Sequence, residues 1–469
     1  MSGFDPSAAA RELRPRFSGA LVTPGDDGYD DARAVWNGTI DRHPAVVARC
    51  ATVDDVVASI EVARRHGLAV AVRGGGHNVA GLATCEDGIV IDLSAMNDVR
   101  VDPARRLAFV QGGARWQDVD AATQVHGLAA PAGLVSETGV GGLTLGGGMG
   151  WLRRKYGLTC DNLVGAEVVT AAGRRVTVSE QENADLLWAL RGGGGNFGVV
   201  TTFIFRLHPV GPEVAYSLVF YDGAHTAQGL RALRAYSAVA PDEVSPIAFT
   251  GVVPAMEGVT PELAGRPMLA AGAVYAGPPE AGDEALRPMR ELTEPFVDLS
   301  GRMPYVELQR FLDEEYPNGR RYYWKSAVVD ELSDAVIDVV VASAARQPSP
   351  LSTIDVWVMG GATAREPAGG SAYAGRDAGF MVNPEADWDD PADDAANLAW
   401  AREFIAAMRP FTVGTYLNFP GMLEEGEDQL RSGFGDHYER LVAVKDAWDP
   451  TNVFRLNHNV VPSARGRAA

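Results

Sequence analysis

The chain has 469 residues, 46% of them hydrophobic and 22% charged, enough to bury more than one core and to form two or three globular domains. A formal net charge of -20 repels phosphate backbones and anionic lipid heads, which argues against nucleic acid and membrane and leaves a small molecule as the expected partner. The opening Met1-Ser-Gly-Phe-Asp-Pro6 lacks an export signal, no long uncharged apolar run follows, and Cys50, Cys85 and Cys160 suit neither a disulfide framework nor a zinc site, so a cytoplasmic protein is expected.

From Val46 the pattern predicts a short strand, then a helix to His66 with apolar residues at Val53, Val56, Val57, Ile60 and Ala63. A strand of small apolar residues, Leu68–Val72, runs straight into Arg73-Gly74-Gly75-Gly76-His77-Asn78. Consecutive glycines let a backbone lie against a ligand with its N–H groups aimed at phosphate oxygens. His77 sets a nucleophilic imidazole beside that cradle and is a candidate cofactor anchor. Short strands are expected at 88–93, 99–101 and 107–110, and a helix from Trp116 to His126.

Two more glycine-dense stretches follow, Gly139–Gly148 and Gly192–Gly198. The latter matches GxGxxG, but a predicted helix (Asp185–Arg191) precedes it and a predicted strand (Val199–Phe205) follows, the reverse of the order a dinucleotide fingerprint needs. The three loops together can line one long phosphate-bearing ligand. Pro209 and Pro212 mark a boundary, beyond which strands are expected at 267–275 and 352–359 and helices at 330–345 and 394–408. Asp355 and Trp357 alternate on the second of these strands and share a face. The chain closes with a helix from Tyr438, a stop at Asp449-Pro450 and a short strand. His43, His66, His126, His208, His437 and His458 show no metal spacing and are expected to be structural or exposed.

The segments Arg73–Asn78, Leu143–Gly148, Lys155–Asn162, Trp188–Gly198 and Trp448–Asn457, in that order, resemble the berberine bridge enzyme-like FAD-linked oxidases of the vanillyl-alcohol oxidase/PCMH type. The resemblance implies an α+β fold. A PCMH-type FAD-binding domain (1–208) would be completed by a C-terminal segment (421–469), with a substrate domain on an antiparallel sheet with helices (209–420) inserted between them. It implies FAD covalently joined to His77, with Arg73, Gly74, Gly75, Gly76, Asn78, Ser136, Thr138, Gly139, Gly141, Gly142, Gly147, Asn162, Gly198, Val199, Val200, Asn418, Asn457 and Asn459 around the cofactor. Val135 stands where many relatives attach the flavin a second time through cysteine, so one covalent bond is expected, as in the single-link bacterial branch.

The resemblance further implies an oxidase of a secondary metabolite. Hydride would leave a CH–OH or CH–NH carbon of a small-molecule substrate, and O2 would be the reoxidant. Tyr416, in Tyr416-Leu-Asn418, is the expected general base, with a pKa lowered by a nearby cation or by the flavin, and Asp355 is its rival. Trp357, Tyr323 and Lys325 are expected at the substrate. A flavin dehydrogenase with another acceptor and a ligand-sequestering resistance flavoprotein are the alternatives. No metal is expected, and the protein would be a monomer or homodimer.

Overall fold

The computed structural model describes residues 6–424 and 426–466, so most of the opening segment lies outside the described residues. A four-stranded sheet has the order Ala20–Val22, Val46–Arg49, Ile89–Asp92, Val70–Arg73, its last three strands parallel. The crossover between Val46–Arg49 and Val70–Arg73 is the helix Val53–His66. Its start is fixed by Thr52, whose side chain accepts from the Asp55 N–H while the Asp55 carboxylate accepts from the Thr52 N–H. Gly67, at φ 66°, ends it. The apolar face of this helix covers the sheet through Val56, Ile60 and Ala63, all fully buried.

A five-stranded antiparallel sheet packs next in the chain, ordered Val99–Asp102, Leu107–Gln111, Val199–Arg206, Leu163–Val169, Arg175–Ser179. From Glu213 onward the strands join a ten-stranded sheet, with helices Thr226–Ser237, Asp334–Ala344 and Asp394–Met408 packed around its core. The fold is therefore α+β. No helix among the described residues is long and apolar enough to cross a membrane.

Two expectations need correction. The stretch from Gly139 is not all loop: Val140–Leu145 forms a short helix, whose Val140 N–H is given to the Ala114 carbonyl. The closing strand does not form, because side chains rather than a neighbouring strand take its backbone groups. Asp449 accepts from the N–H groups of Val453 and Phe454, Lys445 donates to the Phe454 carbonyl, and Asn196 bridges His458 and Val460. The backbone groups are satisfied without a ladder.

Helix Trp116–Gln124 meets helix Tyr305–Arg310 across the boundary between the two halves. Here Asp120 is fully buried with one neutral partner, Gln309, at 3.2 Å, and burial lifts its carboxyl to about 7. The folded state then holds a proton that the unfolded chain releases near pH 4, so stability falls as pH rises from about 4 to 7. Asp120→Asn should remove this loss. Melting curves should show the variant gaining on the parent from pH 5 to pH 8, by up to about 2.6 kcal/mol; a constant difference would contradict it.

Candidate active site

The loop Gly74–Asn78 leaves the carboxyl end of the strand Val70–Arg73, where open parallel sheets place their ligands. It meets the second glycine stretch backbone to backbone. A Cβ on Gly75 would lie 2.5 Å from the Gly139 nitrogen, and one on Gly139 would lie 2.3 Å from the Gly75 nitrogen. Only hydrogen fits between these loops. Together with Gly194, Gly195 and Gly198 from the third stretch they line one cleft.

His77 faces this cleft from a stack of rings. Trp36 lies on the imidazole at 4.0 Å and 17°, and Tyr322 lies on the other side of Trp36 at 3.7 Å and 11°. Asn37 ties that stack together, donating to the carbonyls of Val79 and Tyr322 and accepting from the Tyr322 N–H. Burial pushes the imidazole down to about 3, with the Arg115 charge adding to the effect, so the ring is neutral at physiological pH. Its Nε2 is buried and has no protein partner. A neutral imidazole nitrogen in a glycine-lined cleft is available as a nucleophile.

The opposite end of the cleft is built by the ten-stranded sheet and the segment after its last strand. Tyr416 is buried, and its phenol oxygen accepts from the Gly148 N–H at 3.1 Å and Asn418 Nδ2 at 2.9 Å. Asn418 is held in turn by the Leu143 carbonyl at 3.1 Å. Burial raises the phenol above its ordinary pKa despite these two donors. Among the described residues the cleft lining contains no lysine or arginine to lower it. Asp355, Trp357, Tyr316, Trp324, Glu385 and Phe419 complete this end. Burial lifts Asp355 well above the carboxylate range, with the neighbouring Glu385 adding to the rise, and lifts Glu385 to about 7.

Most of the residues singled out in the sequence converge on the cleft: Gly74–Asn78, Thr138, Gly139, Gly141, Gly142, Gly198, Val200, Asp355, Trp357, Tyr416, Asn418 and Asn457. Several others lie behind it. Arg73 gives its guanidinium to the carbonyls of Ala32 and Ala83 and braces the loop from beneath. Ser136 is held by Asp313 through its N–H at 2.8 Å and its hydroxyl at 2.6 Å. Gly147 packs under Tyr373 and Tyr416, Asn162 donates to the Tyr156 and Leu158 carbonyls, and Val199 belongs to the core of the four-stranded sheet. Asn459 is outside the lining.

Tyr323 and Lys325 are outside it as well. Tyr323 points into the core of the large sheet with its hydroxyl on Glu424, and Trp324, between them in sequence, faces the cleft instead. Val135 lines the cleft, whereas Cys160 is fully buried outside it. Sequence reasoning missed Trp36, Tyr316, Glu385 and the buried His458, whose Nε2 contacts the Leu417 carbonyl at 2.6 Å. Glu385 sits two residues past Asn383, which pairs with Asp355 on the neighbouring strand, a register that the fold and not the sequence reveals.

Comparison with known proteins accords with this geometry. A family profile for an FAD binding domain matches residues 44–179, and one for berberine and berberine-like proteins matches residues 415–461. An FAD-linked oxidoreductase of Dictyostelium discoideum is 30% identical, over 96% of this chain and 96% of its own. The chain belongs to the berberine bridge enzyme-like FAD-linked oxidoreductases. Within this family, (R)-6-hydroxynicotine oxidase of Paenarthrobacter nicotinovorans is 29% identical over 95% of this chain and 97% of its own. The crystal structure of 6-hydroxy-D-nicotine oxidase from Arthrobacter nicotinovorans superposes with a TM-score of 0.85 at 28% identity, covering 95% of this chain and 98% of that one. A glucooligosaccharide oxidase from Acremonium strictum shares the fold, with a TM-score of 0.85 at 23% identity, covering 97% of this chain and 99% of that one. FAD is thus the cofactor of this berberine bridge enzyme-like protein, and the cleft fits it in two respects: three glycine stretches in its lining, two of them pressed together at Gly75 and Gly139 with no room for a side chain, and an unpartnered buried imidazole.

Proposed function

We propose that the protein is an oxidase whose FAD is bonded once, through His77, and which oxidises a CH–OH or CH–NH carbon of a small secondary metabolite with O2 as the final acceptor. The observation that carries this reading is the neutral, unpartnered Nε2 of His77 in the glycine-lined cleft. Residues 1–208 and 421–469 would hold the cofactor, with the glycine loops at its phosphates and His77, Thr138, Asn418 and Asn457 around it. Residues 209–420 would shape the substrate end.

When bound, FAD supplies a two-electron acceptor at its N5 atom. The protein's own residues supply the rest. Tyr416 is the base we assign to the substrate's heteroatom proton. Its oxygen is fixed by Gly148 and Asn418, and two N–H donors on that oxygen stabilise the phenolate once it forms. Burial alone holds the phenol protonated, so the lowering expected from a protein cation is absent, and the electron-poor flavin ring is the remaining source. Asp355 is the other titratable candidate named by the sequence that reaches the cleft. Trp357 and Phe419 wall the space and exclude water from it.

The reading is tested on purified protein in air. Colour retained in an acid precipitate, and peroxide formed in step with substrate loss, are the expected results. Substrate oxidation that needs an added dye and yields no peroxide would replace the oxidase by a dehydrogenase.

A further inference from the structure

Among the described residues, the lining of the cleft's substrate end includes two acids and neither lysine nor arginine. Asp355 and Glu385 lie on the adjacent strands Thr353–Val358 and Phe380–Trp388, one pair of residues apart on the same face, and each adds to or answers the charge of the other. Their other protein partners are neutral: the Thr353 hydroxyl donates to Asp355 at 2.7 Å, the Tyr316 hydroxyl to Glu385 at 3.0 Å, and Asn383 Nδ2 to Glu385 at 2.8 Å. The third acid of this group, Asp387, is taken by the Trp324 indole N–H at 2.6 Å and does not reach the cleft. Neither lysine nor arginine lines the space, and burial holds His77 and His458 neutral. A pair of dry carboxyls cannot both ionise until a cation joins them.

A second observation points the same way. Asn383 is fully buried beside the pair, directly opposite Asp355 in the sheet, and its Oδ1 has no donor. Two carboxyls in the lining, with a lone amide oxygen behind them, form a concentration of acceptors that the donors among the described residues fill only in part. A protonated amine brings up to three N–H donors together with the missing charge, whereas a hydroxyl brings one donor and no charge. Trp324, Trp357 and Tyr316 also line this end, and the Trp357 ring already carries the Arg153 guanidinium 5.0 Å from its centroid, which shows that this ring accepts a cation.

We propose that Asp355 and Glu385, supported by Asn383, form a seat for an ammonium group, so that the substrates of this protein are amines rather than neutral alcohols or sugars. The inference rests on the reading that FAD and substrate share this cleft, and it narrows that reading to one of its two carbon types.

The test uses the FAD-loaded protein and two probes of the same shape, α,α-dimethylbenzylamine and 2-phenylpropan-2-ol. Neither has hydrogen on the carbon bearing the heteroatom, so neither can be oxidised. Binding is read from the change in flavin absorbance and in tryptophan fluorescence at neutral pH. The amine should bind at least about tenfold more tightly than the alcohol, as expected for charge-assisted hydrogen bonds. Glu385→Gln should abolish that preference while keeping the flavin spectrum; Asp355→Asn serves if the first variant does not fold. Equal or tighter binding of the alcohol, binding of neither probe, or a preference that survives both substitutions would overturn the proposal. A protein that takes up no FAD would instead defeat the cofactor reading, and the two failures are therefore distinct.

Discussion

Replacing His77 by alanine should give a protein that still binds FAD but releases all of it into the supernatant on acid precipitation. The glycine loops and Asn457 remain in place to hold the nucleotide, so affinity persists while the permanent bond is lost. Covalent attachment is expected to raise the oxidising power of the flavin. The variant should therefore show a lower flavin reduction potential and a turnover reduced about tenfold or more, each factor of ten corresponding to about 1.4 kcal/mol in the barrier. Loss of the ring stacked on Trp36 should cost the fold only about 1 kcal/mol. A variant that keeps coloured precipitate would show that another side chain carries the flavin, and a collapse in melting temperature would show that the imidazole is mainly a packing group.

Tyr416→Phe should lower kcat by about a hundredfold to ten-thousandfold with the covalent flavin and its spectrum intact, the range expected when a positioned base is removed. The substitution also leaves the Gly148 N–H without its acceptor, a buried loss of about 1–3 kcal/mol that melting curves will register. Rapid mixing under nitrogen separates the two consequences, because a missing base slows the bleaching of flavin by substrate whereas weaker packing alone does not. Asp355→Asn is the matched comparison. If Asp355 binds substrate, its loss appears chiefly in KM; if it takes the proton, the largest fall in kcat moves from Tyr416 to Asp355.

The sequence made the cofactor end of the cleft legible because its physics is local. Three runs of glycine cannot all be ordinary turns, and the mutual approach of Gly75 and Gly139 shows why no other residue fits there. The rejected GxGxxG has the stated order in the structure, helix Ala184–Leu190 before the loop and strand Val199–Arg206 after it. The substrate end was less legible. Glu385 lies in a strand buried at all nine positions, Phe380–Trp388, so no alternation marks the face that meets the cleft. Tyr323 and Lys325 are the residues the resemblance puts at the substrate, yet the fold turns Trp324 toward the cleft instead, a choice set by the pairing of Arg321–Trp324 with Phe380–Trp388.

The stack beneath His77 joins residues far apart in the chain, Trp36 and Tyr322, and no local pattern announces it. The closing segment misled for another reason. Its polar-apolar alternation is genuine, but the buried pair Lys445 and Asp449, 2.8 Å apart, takes the backbone groups a strand partner would have used.

The most direct measurement is mass spectrometry of peptides cut from acid-precipitated protein. The account predicts the added mass of FAD on the peptide containing His77 and on no other. Flavin found wholly in the supernatant, or attached to a different residue such as Cys160, would contradict it.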